Sequence, residues 1–178
     1  MAPKRQTEAK KKKVGPKEFS QLAELHVAGL LAEAEWRVYF PHRDDGFDFI
    51  AAKRVNGTMI IRPVQVKGKY PEASTFDRPT YGFAGNLTQT HPEMVLAIPY
   101  FEVGAIPKIR HVAFMPFCMV KGHPRGSRCW PAKLIGGIPK PRGAHSKYFD
   151  HEGLKRLDSL DWRNDALIDT ADDIDEPS

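Results

Sequence analysis

From Phe19 to Ala34 the chain repeats with helical spacing: Phe19, Leu22, Ala23, His26, Val27, Leu30, Leu31 and Ala34 form one stripe. The stripe predicts a first helix from about Pro16 to Glu35, with Pro16 in the first turn, where a missing N–H is harmless. Glu24 lies beside the stripe, at the edge of the face to be buried. The period then shortens to two. Trp36 to Phe40 reads as a strand and Pro41 to Gly46 as a polar turn. In the next strand Phe47, Phe49 and Ala51 share one face, Asp48 and Ile50 the other. Asn56-Gly57 marks a tight hairpin, because both residues tolerate positive φ. On the return strand Ile60, Arg62, Val64 and Val66 alternate with Ile61, Pro63, Gln65 and Lys67. Pairing across the turn would bring Asp48 near Gln65 and Lys67. Pro63 lacks a ladder donor, which predicts a bulge or local splaying just before Gln65.

The pattern is looser beyond Lys69. Glu72 to Pro92 reads as a polar connection with a helix around Phe83 to Thr90. Met94 to Phe101 and His111 to Phe117 read as two more strands. Val120 to Ala144, rich in Gly, Pro and basic residues, reads as a long loop. A last helix from His151 to about Leu160 would pack Leu154 and Leu157 on the sheet, with Trp162 beside them. The expected order αβββαββα defines an α/β (α+β) chain with a mixed central sheet flanked by helices. Residues 1–14 read as a basic tail containing Lys10 to Lys13, 15–162 as the folded domain and 163–178 as an acidic tail.

Composition sharpens this picture through its distribution. A chain of 178 residues with 41% hydrophobic content suits one core. The net charge of +5 leans weakly towards a polyanionic partner. Between Val103 and Phe149, however, there is no Asp or Glu, while Lys108, Arg110, Lys121, Arg125, Arg128, Lys133, Lys140, Arg142 and Lys147 all fall there. No run of about 18 apolar residues predicts a membrane span, and the charged start lacks a secretory h-region. Cys118 and Cys129 have no CxxC or HxxxH context, so free thiols in a reduced, cytoplasmic chain are expected. No RNP-type aromatic motif, Walker loop or zinc-finger spacing points to an RRM, an ATPase or a finger.

The chemistry concentrates between Gly46 and Lys69. A carboxylate, an amide oxygen and an amine clustered on one surface can hold a hard divalent cation and orient a water beside it. Taken singly, Asp48 could cap a strand and Lys67 could be a solvated charge. Together with Ala23-Glu24-Leu25 and Val27-Ala28-Gly29-Leu30-Leu31, Gly46-Phe47-Asp48-Phe49-Ile50 and Gln65-Val66-Lys67, the region from Phe19 to Phe117 resembles the PD-(D/E)xK nuclease superfamily. That signature is an acid ending one strand and an acid-x-Lys on the next. Two departures stand out: the nearest proline before Asp48 is Pro41, and Gln65 replaces the second carboxylate. The Gln-x-Lys form is similar to a group-I-intron homing endonuclease branch and to certain restriction-type enzymes.

The resemblance implies a restriction-endonuclease-like core and Mg²⁺-dependent hydrolysis of DNA phosphodiester bonds, with Mn²⁺ as a substitute metal. It implies catalytic roles for Glu24, Asp48, Gln65 and Lys67. Asp48, Gln65 and the Val66 carbonyl would be metal ligands. Lys69, Lys121, Arg125, Arg128, Lys140 and Arg142 are the expected contacts to nucleic acid. One site per chain would need a homodimer to cut both strands. The alternative is a nucleic-acid-binding module or subunit whose nuclease fold is degenerate and does not cut.

Overall fold

The computed structural model describes residues 16–43, 46–70, 76–102 and 108–165. The two tails centred on Lys10 to Lys13 and on Asp169 to Ser178 lie outside them. Helix α1 spans Pro16–Glu33 and buries Ala23, Val27, Ala28 and Leu31. Leu22 and Leu25 stay exposed, so the buried stripe is narrower than the sequence pattern suggested. The helix ends in a Schellman arrangement: Trp36 N–H donates to Leu31 O and Glu35 N–H to Ala32 O. Glu35 takes the left-handed position usually given to glycine, with φ 67°. Trp36 is thereby turned into the core.

A five-stranded mixed sheet follows, in the order β1-β2-β3-β5-β6. Its strands are β1 Arg37–Tyr39, β2 Phe49–Val55, β3 Thr58–Val66, β5 Val95–Phe101 and β6 Ile109–Pro116. β2 and β3 form the expected hairpin about Asn56-Gly57, whose φ angles are 48° and 82°. The ladder runs from Val55↔Thr58 to Phe49↔Val64 without a shift, so the bulge expected at Pro63 is absent. The reason lies on the other edge of β3. Its parallel partner β5 begins only at Val64↔Val95, so no ladder bond on that side asks for a Pro63 N–H. α1 packs across β1, β3 and β5.

Two expectations are corrected beyond β3. The helix expected around Phe83 to Thr90 is strand β4, Arg78–Gly85, so a strand occupies the crossover between β3 and β5. The long loop expected over Val120 to Ala144 is mostly sheet: β7 Lys121–His123, β8 Gly126–Ile135 and β9 Ile138–Pro141. These four strands make a second sheet, β4-β8-β7, with β9 also paired to β8. Proline and glycine had masked it for an identifiable reason. The register between β4 and β8 shifts between Tyr81↔Ala132 and Phe83↔Cys129, which leaves Trp130 and Pro131 in a bulge. Gly82 lies opposite. A Cβ there would stand 2.3 Å from the Cys129 carbonyl oxygen and 2.9 Å from Pro131 Cδ. Gly82→Ala should therefore cost about 3 kcal/mol, since the clash is with backbone and cannot be relieved by a rotamer. In a thermal melt this corresponds to a fall of roughly 10 °C, whereas Gly122→Ala, with open space around it, should melt like the parent.

The second sheet packs on the first through Tyr81, Phe83, Cys129, Ala132 and Leu134, all in the common core. Tyr100 of β5 meets it directly: its hydroxyl donates to Tyr81 O at 3.1 Å, and the two rings lie 5.5 Å apart. The C-terminal helix α2, Asp150–Arg156, packs against β6. Leu157 and Trp162 are buried and Leu154 is half-buried against the core, as the pattern suggested. Packed structure continues to Asp165, whose carboxylate accepts from Arg156. Arg62 fastens this end to the sheet. It is 2% exposed, donates to Glu93, to Leu157 O at 3.3 Å and to Ser159 O at 2.5 Å, and lies over the Trp162 ring. The architecture is thus α+β with a mixed sheet, few helices and a second small sheet.

Both cysteines are free thiols, Cys118 exposed and Cys129 buried. Burial pushes the Cys129 thiol up to about 12 from 9.0. Burial, and then the charge of Glu24, push the Tyr70 phenol up to about 12 from 10.0. Both shifts favour the neutral form in the folded state. Their contribution is complete below pH 9.0 and declines as pH rises towards about 12. The melting temperature should hold up to pH 9.0 and fall beyond it, and Cys129→Ala should delay that fall to above pH 10.0.

Candidate metal centre and nucleic-acid interface

Gly46 turns the chain into β2. Its φ is +87°, and a Cβ would stand 2.6 Å from Gln89 Cγ and 2.7 Å from Thr88 Oγ1, so the approach of the 86–93 connection requires glycine. Two residues on, Asp48 is fixed by backbone at both ends. Its N–H donates to Val64 O at 2.9 Å, and its Oδ2 accepts the Val66 N–H at 2.5 Å. These two bonds bracket Gln65. A carboxylate receiving a backbone N–H in this way has one defined orientation.

Gln65 is 3% exposed, and its Oε1 is buried without a hydrogen-bond partner among the described residues. Parallel pairing places Gln65 beside Leu96, and alternation along β5 puts Leu96 on the same face as Tyr100. Gln65 therefore points towards the second sheet, which accounts for its burial. Lys67 continues the ladder, its N–H donating to Ala97 O at 2.9 Å, and is half-buried. Its ammonium forms no ion pair among the described residues. Val66 is buried. Asp48 is thus tied to Val66, and Gln65 and Lys67 flank Val66 where the hairpin runs into the parallel ladder.

Glu24 is half-buried on α1 and close enough to Tyr70 for its charge to act on the phenol. Tyr70 in turn donates to Phe19 O at 2.6 Å and stacks on Phe101 with centroids 4.3 Å apart. The first half of α1 therefore lies against the segment just beyond Lys67.

An unpartnered amide oxygen inside a protein is costly unless something binds it. The donors gathered here are all oxygens: the Asp48 carboxylate, the Gln65 amide and the Val66 carbonyl. That chemistry suits Mg²⁺, which prefers oxygen and keeps several waters of its own. Among the described residues no three His, Cys, Asp or Glu side chains gather in a metal-holding group.

The expected nucleic-acid contacts fall into two groups. Lys69 is half-buried and bridges to Tyr100, with its Nζ 5.4 Å from the Tyr81 ring, so it joins the two sheets. Arg142 is half-buried, and its Nη1 donates to Trp130 O at 3.1 Å, which closes the bulge in β8. The others are more open. Lys121 on β7 and Lys140 on β9 are exposed, Arg125 is exposed in the turn before β8, and Arg128 lies 4.9 Å over the Trp130 ring.

Pairing adds what the sequence did not show. Lys121 lies directly across from Arg128, and Lys133 across from Lys140. Like charges opposed across a ladder are destabilising. No carboxylate lies on any of the four strands to relieve them. Asp77, just before β4, is engaged at the β8–β9 turn, its Oδ1 accepting from Gly136 N–H at 2.8 Å. Lys133 and Trp130 belong to this face but were missed as site residues, because a segment read as loop has no cross-strand neighbours to count.

No protein family, curated protein or solved structure matched the chain.

Proposed function

We propose that this chain is a metal-dependent endonuclease that hydrolyses DNA phosphodiester bonds at Asp48, Gln65 and Lys67, in the manner of the PD-(D/E)xK superfamily. The observation that carries the reading is the buried, unpartnered Gln65 Oε1, bracketed by the two backbone bonds of Asp48. Phosphodiester hydrolysis needs an activated water, charge relief on the phosphoryl oxygens and help for the leaving oxygen. Mg²⁺, when bound, lowers the pKa of a water and neutralises developing negative charge. Asp48, Gln65 Oε1 and the Val66 carbonyl are the groups that would hold it. Lys67, which forms no ion pair among the described residues, would supply a cation to orient the attacking water or to stabilise charge on the phosphoryl group. Glu24, on α1 near Tyr70, would contribute a carboxylate only through a bridging water.

The direct test is incubation of the purified protein with supercoiled plasmid and Mg²⁺ or Mn²⁺, beside a Lys67→Ala control. Nicking that requires metal and disappears in the control supports the reading, and intact plasmid with either metal removes it. The acid-free second sheet favours the second reading in that event: a nucleic-acid-binding module that does not cut.

A further expected result concerns Gln65→Glu. A carboxylate at a site 3% exposed is desolvated, so in EDTA the variant should melt below the parent. Ligand binding stabilises in proportion to affinity, so Mg²⁺ should raise the variant's melting temperature more than the parent's. Equal responses to Mg²⁺ would take Gln65 out of the donor set.

A further inference from the structure

A second cleft, of about 350 Å³, lies between α1, β6 and α2 and shares no residue with the site around Asp48. Its walls are largely apolar: Leu30 and Ala34 from α1, Ile109, Val112 and Phe114 from β6, and Leu154 from α2. Its polar groups are organised around one imidazole. His111 Nδ1 lies 2.7 Å from Asp150 Oδ2, while Asp150 Oδ1 accepts the Val112 N–H at 2.9 Å. Both carboxylate oxygens are thus committed to holding one ring against one strand. Asp150 does so from a left-handed backbone, φ 51°, which non-glycine residues seldom adopt. The bridge between Ala113 and Phe149 holds it in place beside β6. The carboxylate at Nδ1 selects the tautomer that carries its proton on that nitrogen, in which Nε2 is the acceptor.

The remaining polar groups narrow the ligand. Arg110 Nη1 is engaged by Glu102 Oε1 at 2.8 Å, and Glu33 and Asp150 put two carboxylates on the lining, which disfavours an anion. Desolvation lowers the pKa of His26, only partly offset by the charge of Glu33, which disfavours a positive charge on this ring. Apolar walls on both sides disfavour a sugar, whose hydroxyls would lose water without partners. Among the described residues no metal-holding group of three exists. The volume is at the lower end for small-molecule sites, about 300–1,000 Å³.

We propose that this cleft binds a small, uncharged, ring-sized molecule, its body between Leu30 and Phe114 and a single N–H or O–H donated to His111 Nε2. Phenol and adenine present the two donor types. Each is titrated into the full chain while the histidine ring resonances are followed by NMR. The expected result is a saturable shift of the His111 and His26 signals by at least one of them, with His91 and His123 unmoved. His111→Ala should weaken that binding about tenfold or more, read from the His26 signal, the loss of one hydrogen bond to a ring. An Asp150→Asn variant, which keeps the contact to Val112, should weaken it less. No shift with either probe up to about 10 mM, tenfold beyond a millimolar dissociation constant, would overturn the proposal. So would equal shifts of all the rings. The readout is independent of DNA cleavage, so its outcome and that of the nuclease reading are separable.

Discussion

Asp48→Ala and Lys67→Ala should each lower plasmid nicking by about 10²–10⁴-fold while their melting temperatures stay near the parent's. The two halves of this expectation have different origins. The loss of rate follows from removing the carboxylate tied across Gln65, or an ammonium that forms no ion pair among the described residues. The retained stability follows from position. Lys67 is half-buried with no ion pair among the described residues, and its ladder bond is made by backbone, which alanine keeps. Asp48→Ala does lose the bond from Val66 N–H, so a small fall of about 1 kcal/mol is expected there. Rates from nicked-plasmid quantitation, set beside calorimetric melts, check both halves. Near-parental nicking in either variant would move the chemistry away from the hairpin.

Neutralising the second sheet should separate binding from stability. The variant Lys121→Gln, Lys133→Gln and Lys140→Gln removes three exposed charges, two of which face each other. On duplex DNA the logarithm of affinity falls with that of salt with a slope of about −0.9 per phosphate neutralised, so three lost contacts should make the slope shallower by about 2.7. Affinity at low salt should fall on the order of tenfold or more, on unrelated sequences alike. The Lys133→Gln and Lys140→Gln pair alone should melt no lower than the parent, because it relieves two like charges opposed across the ladder. Arg142→Gln should behave in the opposite way, losing stability first, since its guanidinium holds Trp130 O. Fluorescence anisotropy at several salt concentrations, with melts of the same samples, distinguishes the cases. An unchanged slope in the triple variant would place the binding surface elsewhere, with the Lys10 to Lys13 segment the next to test.

What the sequence determined by itself is local. The 3.6-residue stripe of α1, the Asn56-Gly57 turn and the period-two faces of the hairpin follow from backbone preferences and from neighbours a few residues apart. Because side chains alternate strictly along a strand, placing Asp48, Gln65 and Lys67 on one face needed only the turn position. The last strands of the main sheet and the buried Leu157 and Trp162 were legible for the same reason.

Only the tertiary structure decided the rest. The second sheet was hidden because its prolines are placed where sheets tolerate them: Pro131 in a bulge opposed by Gly82, Pro139 and Pro141 on a strand paired on one side among the described residues. Its packing buried Gln65, which the sequence could mark as a ligand but not as an oxygen without a partner. Strand pairing set Lys121 against Arg128 and Lys133 against Lys140, and it spent Lys69 and Arg142 on internal contacts. The cleft around His111 joins residues from 26 to 154 along the chain. Such groupings depend on which surfaces bury against one another, and burial is a property of the assembled layers that short-range periodicity does not carry.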